Sequence, residues 1–364
     1  MFVKKKIRVA VVSQSMNIGG GEMIAAQLAS YIDLSLFDIK LFVIGKEQDN
    51  QIKEYLVSHN INYECLNLPT SFNFKSYKLF SKALKKYSPD VVHEHLDLSY
   101  TWIWTMLNRI PLVATIHTDP FRRKNRKVDY IIKLRESIGK LKVVGCSKIT
   151  QELSIECYGL KRKNVTYIYN PIDTSKYHCE LDDDLVIHFI HVGRFHEVKN
   201  HELLINAFNL LLRSNPNCDL TLAGDGPLFE KTKEQVKALG IEDKVYFLGN
   251  VSDIPNILKN KSVFILSSKT EAFPVSILEA MAAGLPIISS KVGGVPEMVT
   301  NNGILVEPND IDDLLNAMKT LSTNSVLRKT MSEASKNNVK RFDKDVISRE
   351  YETVYSAIAK GKSR

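Results

Sequence analysis

The strongest constraint on the fold is a regular alternation of short, β-branched apolar runs with longer amphipathic segments along almost the whole chain. It opens with a predicted strand at residues 7–13, a glycine-rich loop, and a helix from about residue 21 to residue 31. Runs that are apolar on both faces are typical of parallel strands covered by helices. The alternation therefore predicts an α/β fold built from doubly wound sheets.

The alternation occurs in two series, separated by a polar break. Asn170-Pro171 is a turn signal, and residues 173–184 are acidic and show no period, which is typical of an interdomain linker. The further strands predicted before the break lie at 39–44, 91–94, 112–116, 143–146 and 166–169, with a helix at 74–87. Those predicted after it lie at 187–192, 220–223, 245–248, 263–266, 287–289 and 304–306, with helices at 201–213 and 276–283.

Two domains are therefore predicted. We assign residues 1–175 to an N-terminal domain and 176–345 to a C-terminal domain, with a helix at about 346–362 that packs back on the N-terminal domain. A length of 364 residues is sufficient for two hydrophobic cores. Because doubly wound sheets bind ligands at the carboxyl ends of their strands, we expect the two sheets to face each other across one deep cleft.

The net charge of +8 is concentrated in the first half of the chain. Residues 1–180 hold 27 Lys and Arg against 17 Asp and Glu, whereas the remainder holds 22 against 24. A basic half indicates an anionic partner, such as a membrane surface, a pyrophosphate-bearing substrate or a nucleic acid. The alternative is a solvated lysine-rich surface. No nucleic-acid-binding motif is recognised, so we expect no nucleic-acid partner.

The sequence contains no signal for secretion or membrane insertion. Three lysines and a short strand at the start lack a cleavage site, and no apolar run reaches about 18 residues. The five cysteines are scattered and form no Cys-x-x-Cys pair, which indicates reduced thiols without a metal or disulfide role. We therefore expect a cytoplasmic protein.

The first candidate site is the triplet Gly19-Gly20-Gly21, which lies between the first predicted strand and the first helix. Glycines allow a ligand to approach the backbone closely, and the helix N-terminus that follows offers N–H groups to an anion. A plain tight turn is the alternative. The triplet does not match the six-residue dinucleotide-binding fingerprint.

The second candidate is the segment 193–200, which directly follows the strand at 187–192 and contains Gly193, Arg194 and Lys199. At the carboxyl end of a strand these two cations suit a pyrophosphate, because Arg can bind two oxygens at once and Lys acts as a point charge. The alternative is ordinary surface charge on a solvated loop.

The third candidate is the segment 267–286. Glu271 is predicted in the loop after the strand at 263–266, Pro274 at the first position of a short helix, and Glu279 inside that helix. The N–H groups of Val275 and Ser276 would point toward a phosphate. A carboxylate accepts hydrogen bonds from neighbouring hydroxyls, so one Glu can hold a sugar and the other a ribose. The alternatives are a loop acid and a helix acid favoured by the helix dipole.

Glu271 and Glu279, with seven residues between them, resemble the E-x7-E signature of retaining glycosyltransferases of family 4. The resemblance covers nearly the whole chain, and the combination of motifs is highly specific although no single motif is. The other matching motifs, in the family's order, are Gly19–Gly21, Pro89–His95, Ile116–Thr118, Ser147, Asn170, Gly193-Arg194, Gly224–Pro227, Gly249 and Gly293–Glu297. The resemblance implies the GT-B fold, with two Rossmann-like domains facing across a cleft.

The resemblance also implies roles for individual residues. Glu271 is similar to the acid that contacts hydroxyls of the donor sugar, and Glu279 to the ribose ligand. Arg194 and Lys199 resemble the pair that neutralises the diphosphate, and His117 the histidine near the transferred sugar. Further donor-binding positions are Gly20, Gly21, Gly193, Gly224, Phe273, Pro274, Val275 and Ser276. The chain departs from many relatives at Pro171, where they have Gly after the Asn.

Other histidines and the tryptophans are given different interpretations. His93 and His95 lie on one face of a predicted strand, and we expect a structural role beside the site for both. No function is assigned to His188 and His191. Trp102 and Trp104 are expected in the core or in an acceptor groove.

The predicted helix at 74–87 is basic and amphipathic. Its apolar residues recur at three- and four-residue steps, which are Phe74, Tyr77, Phe80, Leu84 and Tyr87. Lysines fill the other faces, and a second basic cluster spans 122–127. We expect the apolar stripe to pack on the sheet, and the combined basic surface, with Lys78, Lys82, Lys85, Lys86, Arg122 and Arg123, to contact the acceptor or an anionic membrane.

The resemblance implies an enzyme that transfers a hexosyl or N-acetylhexosaminyl group with retention from a nucleotide sugar, with UDP expected, to a lipid-linked or oligosaccharide acceptor of cell-surface polysaccharide. None of the three candidate segments contains an Asp-x-Asp metal motif, so we expect metal independence and no cofactor. We also expect peripheral contact with the inner face of the plasma membrane. The alternatives are an epimerase or phosphorylase of the same fold, or a non-catalytic protein that binds sugar nucleotides.

Overall fold

The computed structural model describes residues 5–16, 19–69, 72–95, 99–123, 126–177 and 186–360, with the backbone alone at 99, 123 and 126–129. It divides into two compact units. The first contains the chain up to Pro171 and again from Lys344 onward, and the second contains Ile172–Asp343. Residues 178–184 of the predicted linker lie outside the described residues, as do positions 361 and 362 of the predicted last helix.

The first unit is built on a sheet of seven parallel strands. These are β1 (Ile7–Ser13), β2 (Phe37–Val43), β3 (Tyr63–Cys65), β4 (Val91–His95), β5 (Leu112–Ile116), β6 (Leu141–Gly145) and β7 (Val165–Tyr167). Their order across the sheet is β3-β2-β1-β4-β5-β6-β7, so the chain winds from the centre to one edge and then to the other. This order confirms the doubly wound α/β class.

Helices cover both faces of this sheet. They include α1 (Gly20–Tyr31), α2 (Gln51–Ser58), α3 (Phe74–Tyr87), α4 (Ser99–Leu107), α5 (Arg126–Ile138) and α6 (Lys148–Tyr158). Successive side chains of β1 point to opposite faces. Val12 lies in one core with Phe80 and Trp104, and Val11 lies in the other with Leu28. Trp104 and its neighbour Trp102 are buried in the first of these cores.

The second unit repeats the plan with six parallel strands. These are β8 (Ile187–Val192), β9 (Cys218–Ala223), β10 (Val245–Gly249), β11 (Val263–Leu266), β12 (Ile287–Ser290) and β13 (Gly303–Val306). Their order is β10-β9-β8-β11-β12-β13. The order reverses beside β8, and the loops after β8 and β11 therefore start next to each other at the carboxyl edge.

The helices of the second unit are α7 (His201–Leu212), α8 (Phe229–Ala238), α9 (Ile254–Leu258), α10 (Val275–Ala282), α11 (Val295–Met298), α12 (Ile311–Thr323) and α13 (Ser325–Asn338). Apolar residues of α7, α8, α12 and α13 share one core with the sheet, in which Phe189 and Phe208 pack edge to face. Side-chain caps fix several starts. The Asp310 carboxylate, for example, accepts a hydrogen bond from the Asp313 N–H at the start of α12.

The last helix, α14 (Lys344–Lys360), belongs to the first unit. It packs on β1, β4, β6 and α1. Ile347, Tyr351 and Tyr355 are fully buried there, and the Tyr355 ring meets Phe37 edge to face at 5.9 Å. The core that contains Val11 and Leu28 is thus completed by residues more than 340 positions from the N-terminus. In the ranges that the structure describes, no helix combines the length and the apolar character needed to cross a membrane.

Candidate active site

The loops that follow β8 and β11 are joined at the carboxyl edge of the second sheet. The Ser267 hydroxyl donates to the backbone carbonyl of Lys199 at 3.0 Å and contacts that of Asn200 at 3.2 Å. The backbone N–H of Lys269 donates to the Val198 carbonyl at 2.7 Å. These bonds bring the second and third candidate segments of the sequence together.

Lys199 and Glu271 form an ion pair across this junction. The Lys199 Nζ lies 2.6 Å from the Glu271 Oε1, and the Ser268 hydroxyl donates to the same oxygen at 2.6 Å. The two charged side chains are only 19% and 12% exposed, so the attraction is screened less than that of a surface pair. The pair offers one cation and one partly used carboxylate at the mouth of a doubly wound sheet.

Arg194 lies in the same loop but is exposed to solvent. Its position is fixed by the backbone on either side. The Gly193 N–H donates to the Ala223 carbonyl at 2.9 Å, and Gly224 has a φ of +135°. A Cβ on Gly224 would lie 2.1 Å from the Gly193 carbonyl oxygen, so only glycine allows the loops after β8 and β9 to touch.

The Glu271 backbone is held from its other side by the loop after β12. A Cβ on Gly293, whose φ is +49°, would lie 1.6 Å from the Glu271 carbonyl oxygen. The next residue, Gly294, donates its N–H to the Ala272 carbonyl at 3.0 Å. This close contact explains the glycine at position 293, because any larger residue there would displace Glu271.

Helix α10 begins directly after this loop. Pro274 has a ψ of 121° and precedes the helix, so the prediction that it is the first helical residue is wrong by one position. Val275 and Ser276 form the first turn, where N–H groups lack partners within the helix. Phe273 is buried and packs on Phe342 at 5.5 Å between ring centroids. Its side chain serves the core, so a ligand could meet this residue only through its backbone.

Glu279 lies one and a half turns into α10 and is partly buried. Burial raises the pKa of its carboxyl to about 7, and a hydrogen bond from the Tyr177 hydroxyl, at 3.4 Å, acts in the opposite direction. A carboxyl with such a pKa changes charge near neutral pH, which is typical of functional positions. Glu279 is not joined by a described hydrogen bond to the Lys199–Glu271 pair.

The first unit carries the remaining candidates. Gly20 and Gly21 begin α1, and the residue before them, Gly19, occupies the cap position with extended backbone and no side-chain cap. A Cβ on Gly20 would meet no atom of the protein within 4 Å. Packing inside the described chain therefore does not require glycine at position 20.

His117 follows β5 and forms a row with two histidines of β4. Its Nε2 lies 2.8 Å from the Nδ1 of His95, and the two rings stack at 5.0 Å. His93 lies behind His95, with ring centroids 4.2 Å apart, and bonds to the hydroxyls of Tyr355 and Thr115 at 2.6 and 2.7 Å. Burial lowers the pKa of His93 to about 3, so this histidine is neutral.

Three further histidines have no predicted function. His188 meets Asp219 at 2.7 Å on the sheet of the second unit. His191 and His201 face each other at 4.7 Å behind the Gly193 loop, and burial lowers the pKa of both. Within the described ranges, no three His, Cys, Asp or Glu side chains are grouped so that they could hold a metal ion.

Helix α3 has the predicted bounds, but its apolar stripe is not fully buried. Phe80 and Leu84 are in the core, and Tyr77 packs against it, whereas Phe74 is 68% exposed. Phe74 is the first residue of the helix, and the Lys78 Nζ covers its ring at 5.1 Å. The prediction that Phe74 packs on the sheet is therefore wrong, because the first turn of the helix extends beyond the sheet.

The predicted cations of the first unit are solvent-exposed wherever the structure describes them, which are Lys78, Lys82, Lys85, Lys86 and Arg122. Only the backbone of Arg123 is described, and Lys124 and Asn125 of the second basic cluster lie outside the described residues. The contacts of the described chain thus bring Lys199 and Glu271 together, and place His117 and the lysines of α3 in the other unit.

Three contacting residues were not predicted as site residues. Ser268 donates to Glu271, Tyr177 donates to Glu279, and His95 bonds to His117. Ser268 could have been selected because it lies three residues before Glu271. The two-residue period of β4 places His95 on the same face as His93, but it does not show that His95 bonds to His117. No sequence pattern around Tyr177 indicates that it contacts Glu279.

Two family models match the chain, one for each unit. The model for Glycosyltransferase Family 4 matches residues 18–176, and the model for Glycosyl transferases group 1 matches residues 182–338. The order of the two matches follows the order of the two sheets along the chain.

Characterised relatives align over almost the whole chain. N-acetyl-alpha-D-glucosaminyl L-malate synthase of Bacillus anthracis is 25% identical, with 93% of this chain and 94% of that protein covered. UDP-Gal:alpha-D-GlcNAc-diphosphoundecaprenol alpha-1,3-galactosyltransferase of Escherichia coli is 28% identical, with 93% and 95% covered.

The fold has a close match among crystal structures. The Anabaena protein HepE, crystallised with UDP and glucose, superposes with a TM-score of 0.84 at 23% identity, covering 96% of this chain and all of that one. The two matched models show that the chain belongs to the family 4, group 1 glycosyltransferases, and the structural similarity shows that it has their GT-B fold.

Proposed function

We propose that the chain transfers a hexosyl or N-acetylhexosaminyl group, with retention of configuration, from a UDP-sugar to a hydroxyl of a lipid-linked or glycan acceptor in cell-surface polysaccharide synthesis. The observation that carries the proposal is the partly buried Lys199–Glu271 pair at the carboxyl edge of the second sheet. Sheets of this type bind ligands at that edge.

The charge of the donor diphosphate is assigned to cations and to a helix N-terminus. Arg194 is exposed and can turn toward two phosphate oxygens at once, while Lys199 supplies a point charge. The first N–H groups of α10, at Val275 and Ser276, add partial positive charge. These groups stabilise the charge that develops on the leaving diphosphate, so the proposed reaction requires no metal ion or cofactor.

The two glutamates are assigned to hydroxyl groups. Lys199 and Ser268 both bond to the same oxygen of Glu271, Oε1, so Oε2 is assigned as an acceptor for a sugar hydroxyl. Glu279 is held by α10 at a fixed height above the phosphate-binding turn and would accept hydrogen bonds from the ribose. Its ionised form is the better acceptor of two hydroxyl protons.

Retention is supported by the names of the relatives. One makes an alpha-1,3 linkage from UDP-Gal, and the other is named for an N-acetyl-alpha-D-glucosaminyl product. With an α-linked UDP-sugar as donor, an α-linked product means retention. In the proposed front-face step, the acceptor oxygen bonds to the anomeric carbon, the bond to the diphosphate breaks, and the acceptor proton passes to the leaving phosphate oxygen.

The acceptor is assigned to the first unit. Gly20 leaves open space at the start of α1, as a loop beside a substrate requires, and His117 presents an imidazole after β5. The name of the Escherichia coli relative contains a diphosphoundecaprenol acceptor, which makes a lipid-linked acceptor a reasonable choice for this chain.

A lipid-linked acceptor agrees with the outer face of α3. At about 100° per residue, Phe74, Lys75, Lys78, Leu79, Lys82, Lys85 and Lys86 fall within one arc of about 140°. All seven are exposed, and the helix contains no acid. Lysines surrounding two apolar side chains suit an anionic lipid surface. We propose that this face holds a cytoplasmic enzyme against the inner leaflet.

The proposed function is tested by measuring UDP release with and without a lipid-diphosphate-linked sugar acceptor, and by the mass of the product. We expect release that depends on the acceptor, with an acceptor product heavier by one sugar. Glu271→Gln should abolish both, while Glu64→Gln, which removes a carboxylate paired with Lys40 at 2.6 Å, should not. Free altered sugar would indicate an epimerase, phosphate-dependent cleavage a phosphorylase, and an unaffected Glu271→Gln a binding protein.

A further inference from the structure

His117 is supported from behind by a buried row of hydrogen-bonded groups. His95, which is fully buried, meets the Nε2 of His117 with its Nδ1 at 2.8 Å. The other nitrogen of His95, Nε2, is buried and has no hydrogen-bond partner among the described residues. Among the described residues, His117 is therefore the one hydrogen-bond partner of the His95 ring, and the position of the ring proton on His95 affects that of His117.

His95 is neutral, because burial lowers its pKa well below the usual value and the neighbouring His93 and His117 lower it further. A neutral imidazole carries one N–H and one bare nitrogen. If the proton were on Nε2, a buried donor would have no acceptor. If it is on Nδ1, the unpaired group is an acceptor, and orphaned acceptors are tolerated better in proteins than orphaned donors. The geometry thus favours an Nδ1–H that donates to His117.

The next layer offers His95 no second hydrogen-bond partner. Both nitrogens of His93 are occupied, Nδ1 by the Tyr355 hydroxyl and Nε2 by the Thr115 hydroxyl. The Thr115 hydroxyl also contacts the Tyr351 hydroxyl at 3.2 Å. His93 therefore has no ring nitrogen available to bond to His95, and the two ring centroids lie 4.2 Å apart.

We propose that His95 is a positioning residue that holds His117 in its neutral form with the proton on Nδ1. A His117 Nε2 that accepts from His95 cannot carry a proton itself. The one ring N–H of His117 is then on Nδ1, where it can act as a hydrogen-bond donor and not as a source of a free proton. This inference rests on the proposed function for the identity of the substrate, but the proton position can be measured without it.

The experiment uses the full chain labelled with 15N-histidine. Long-range 15N–1H spectra distinguish protonated from bare ring nitrogens, and a His117→Gln variant assigns the His117 signals. We expect His117 with Nδ1 protonated and Nε2 bare. A wild-type His117 with its proton on Nε2 would overturn the inference, whatever the activity of the enzyme.

Two variants separate positioning from simple support. His95→Leu keeps an apolar side chain and removes the donor, and should release His117 from the Nδ1–H form and lower kcat by about 10- to 100-fold with little change in the donor KM. His95→Asn, whose amide N–H lies near the position of Nδ1, should restore most of both. Unchanged His117 signals and kcat in His95→Leu would contradict the inference.

Tyr355→Phe is the matched control, because it removes an equally buried hydrogen bond from the same row without touching His117. It should lower the unfolding temperature and leave the His117 signals unchanged. If the wild type shows the expected proton position but transfers sugar from no nucleotide sugar tested, the proposed function fails and the inference stands.

Discussion

At the residue scale, the two candidate glutamates of the second unit lie in different electrostatic surroundings. Lys199 and Glu271 form an ion pair, whereas the one hydrogen bond to Glu279 from the described residues comes from a neutral donor, the Tyr177 hydroxyl. The eight-residue spacing of the two acids was sufficient to select them from the sequence. The spacing could not predict their different surroundings, because Tyr177 lies 102 positions from Glu279 in the chain.

Lys199→Ala should reduce transfer by about 100- to 1000-fold, since a charge that stabilises the leaving group in a partly buried site is worth several kcal/mol. The matched control is Lys40→Ala. Lys40 is also 19% exposed and also pairs with a glutamate at 2.6 Å, but in the first unit. Initial rates of UDP release give the comparison, and equal losses in the two variants would remove Lys199 from the proposed mechanism.

Glu279→Gln should stabilise the ligand-free protein, and increasingly so as the pH rises from about 4.5 to about 7. The carboxyl has a pKa of about 7 in the folded protein because it is buried, so the folded state holds a proton that the unfolded state releases. Stability of the wild type is therefore lost as pH rises through this window, by at most about 3 kcal/mol.

Thermal unfolding of the Glu279→Gln variant and the wild type across pH 4.5 to 8 measures this difference. The same variant should bind the UDP-sugar more weakly at pH 8, where the wild-type carboxylate is ionised. A difference in stability that does not vary with pH would show that Glu279 is not the titrating group.

At the scale of elements, sequence periodicity was most reliable for long segments with strong patterns. The bounds of α3 were predicted to the residue, because Asn73 caps its start and Ser88 ends it in the left-handed conformation. Strand β3 was missed, since it has three residues, Tyr63–Cys65, and its centre is a glutamate. Phe74 was misplaced because a helical period cannot show where the protein surface ends.

The outer face of α3 predicts an electrostatic attachment to lipid. Reversing three charges with Lys78→Glu, Lys82→Glu and Lys85→Glu should weaken binding to vesicles of anionic lipid by at least about 100-fold, since each basic residue near such a surface contributes about 1 kcal/mol. Co-sedimentation with vesicles is the measurement, and zwitterionic vesicles should bind neither protein.

The control for this experiment reverses three exposed lysines on a helix of the second unit, Lys231, Lys233 and Lys237 of α8. It makes the same change in net charge. If both triple variants lose binding equally, attraction is due to total charge and α3 has no specific role.

At the scale of the whole molecule, the alternation of strand and helix patterns predicted two doubly wound units, and the sheet orders have that form. Domain boundaries were predicted at 175 and 345, and the chain passes from one unit to the other after Pro171 and after Asp343. The sequence near α14 does not show that this helix completes the core that contains Val11. Its apolar residues Ile347, Tyr351 and Tyr355 could equally belong to a helix that packs on either unit.

Ile347→Ala should destabilise the first unit selectively. Removing a fully buried isoleucine costs about 2–5 kcal/mol, and its neighbours belong to the core around β1. Hydrogen exchange followed by mass spectrometry should show faster exchange in β1 and β4 but not in β8 and β11. Ile205→Ala, an equally buried site in α7, should give the reverse pattern, and identical patterns would mean that the units unfold as one.

The most direct test is the structure of the product made from a panel of UDP-sugars and a lipid-diphosphate-linked sugar. Mass spectrometry gives the sugar added, and proton NMR gives the configuration of the new anomeric centre. We expect a single hexose or N-acetylhexosamine joined by an α linkage, formed by the wild type and not by Glu271→Gln. A β-linked product, or sugar released to water without any acceptor product, would contradict a retaining transferase that binds its donor at Lys199 and Glu271.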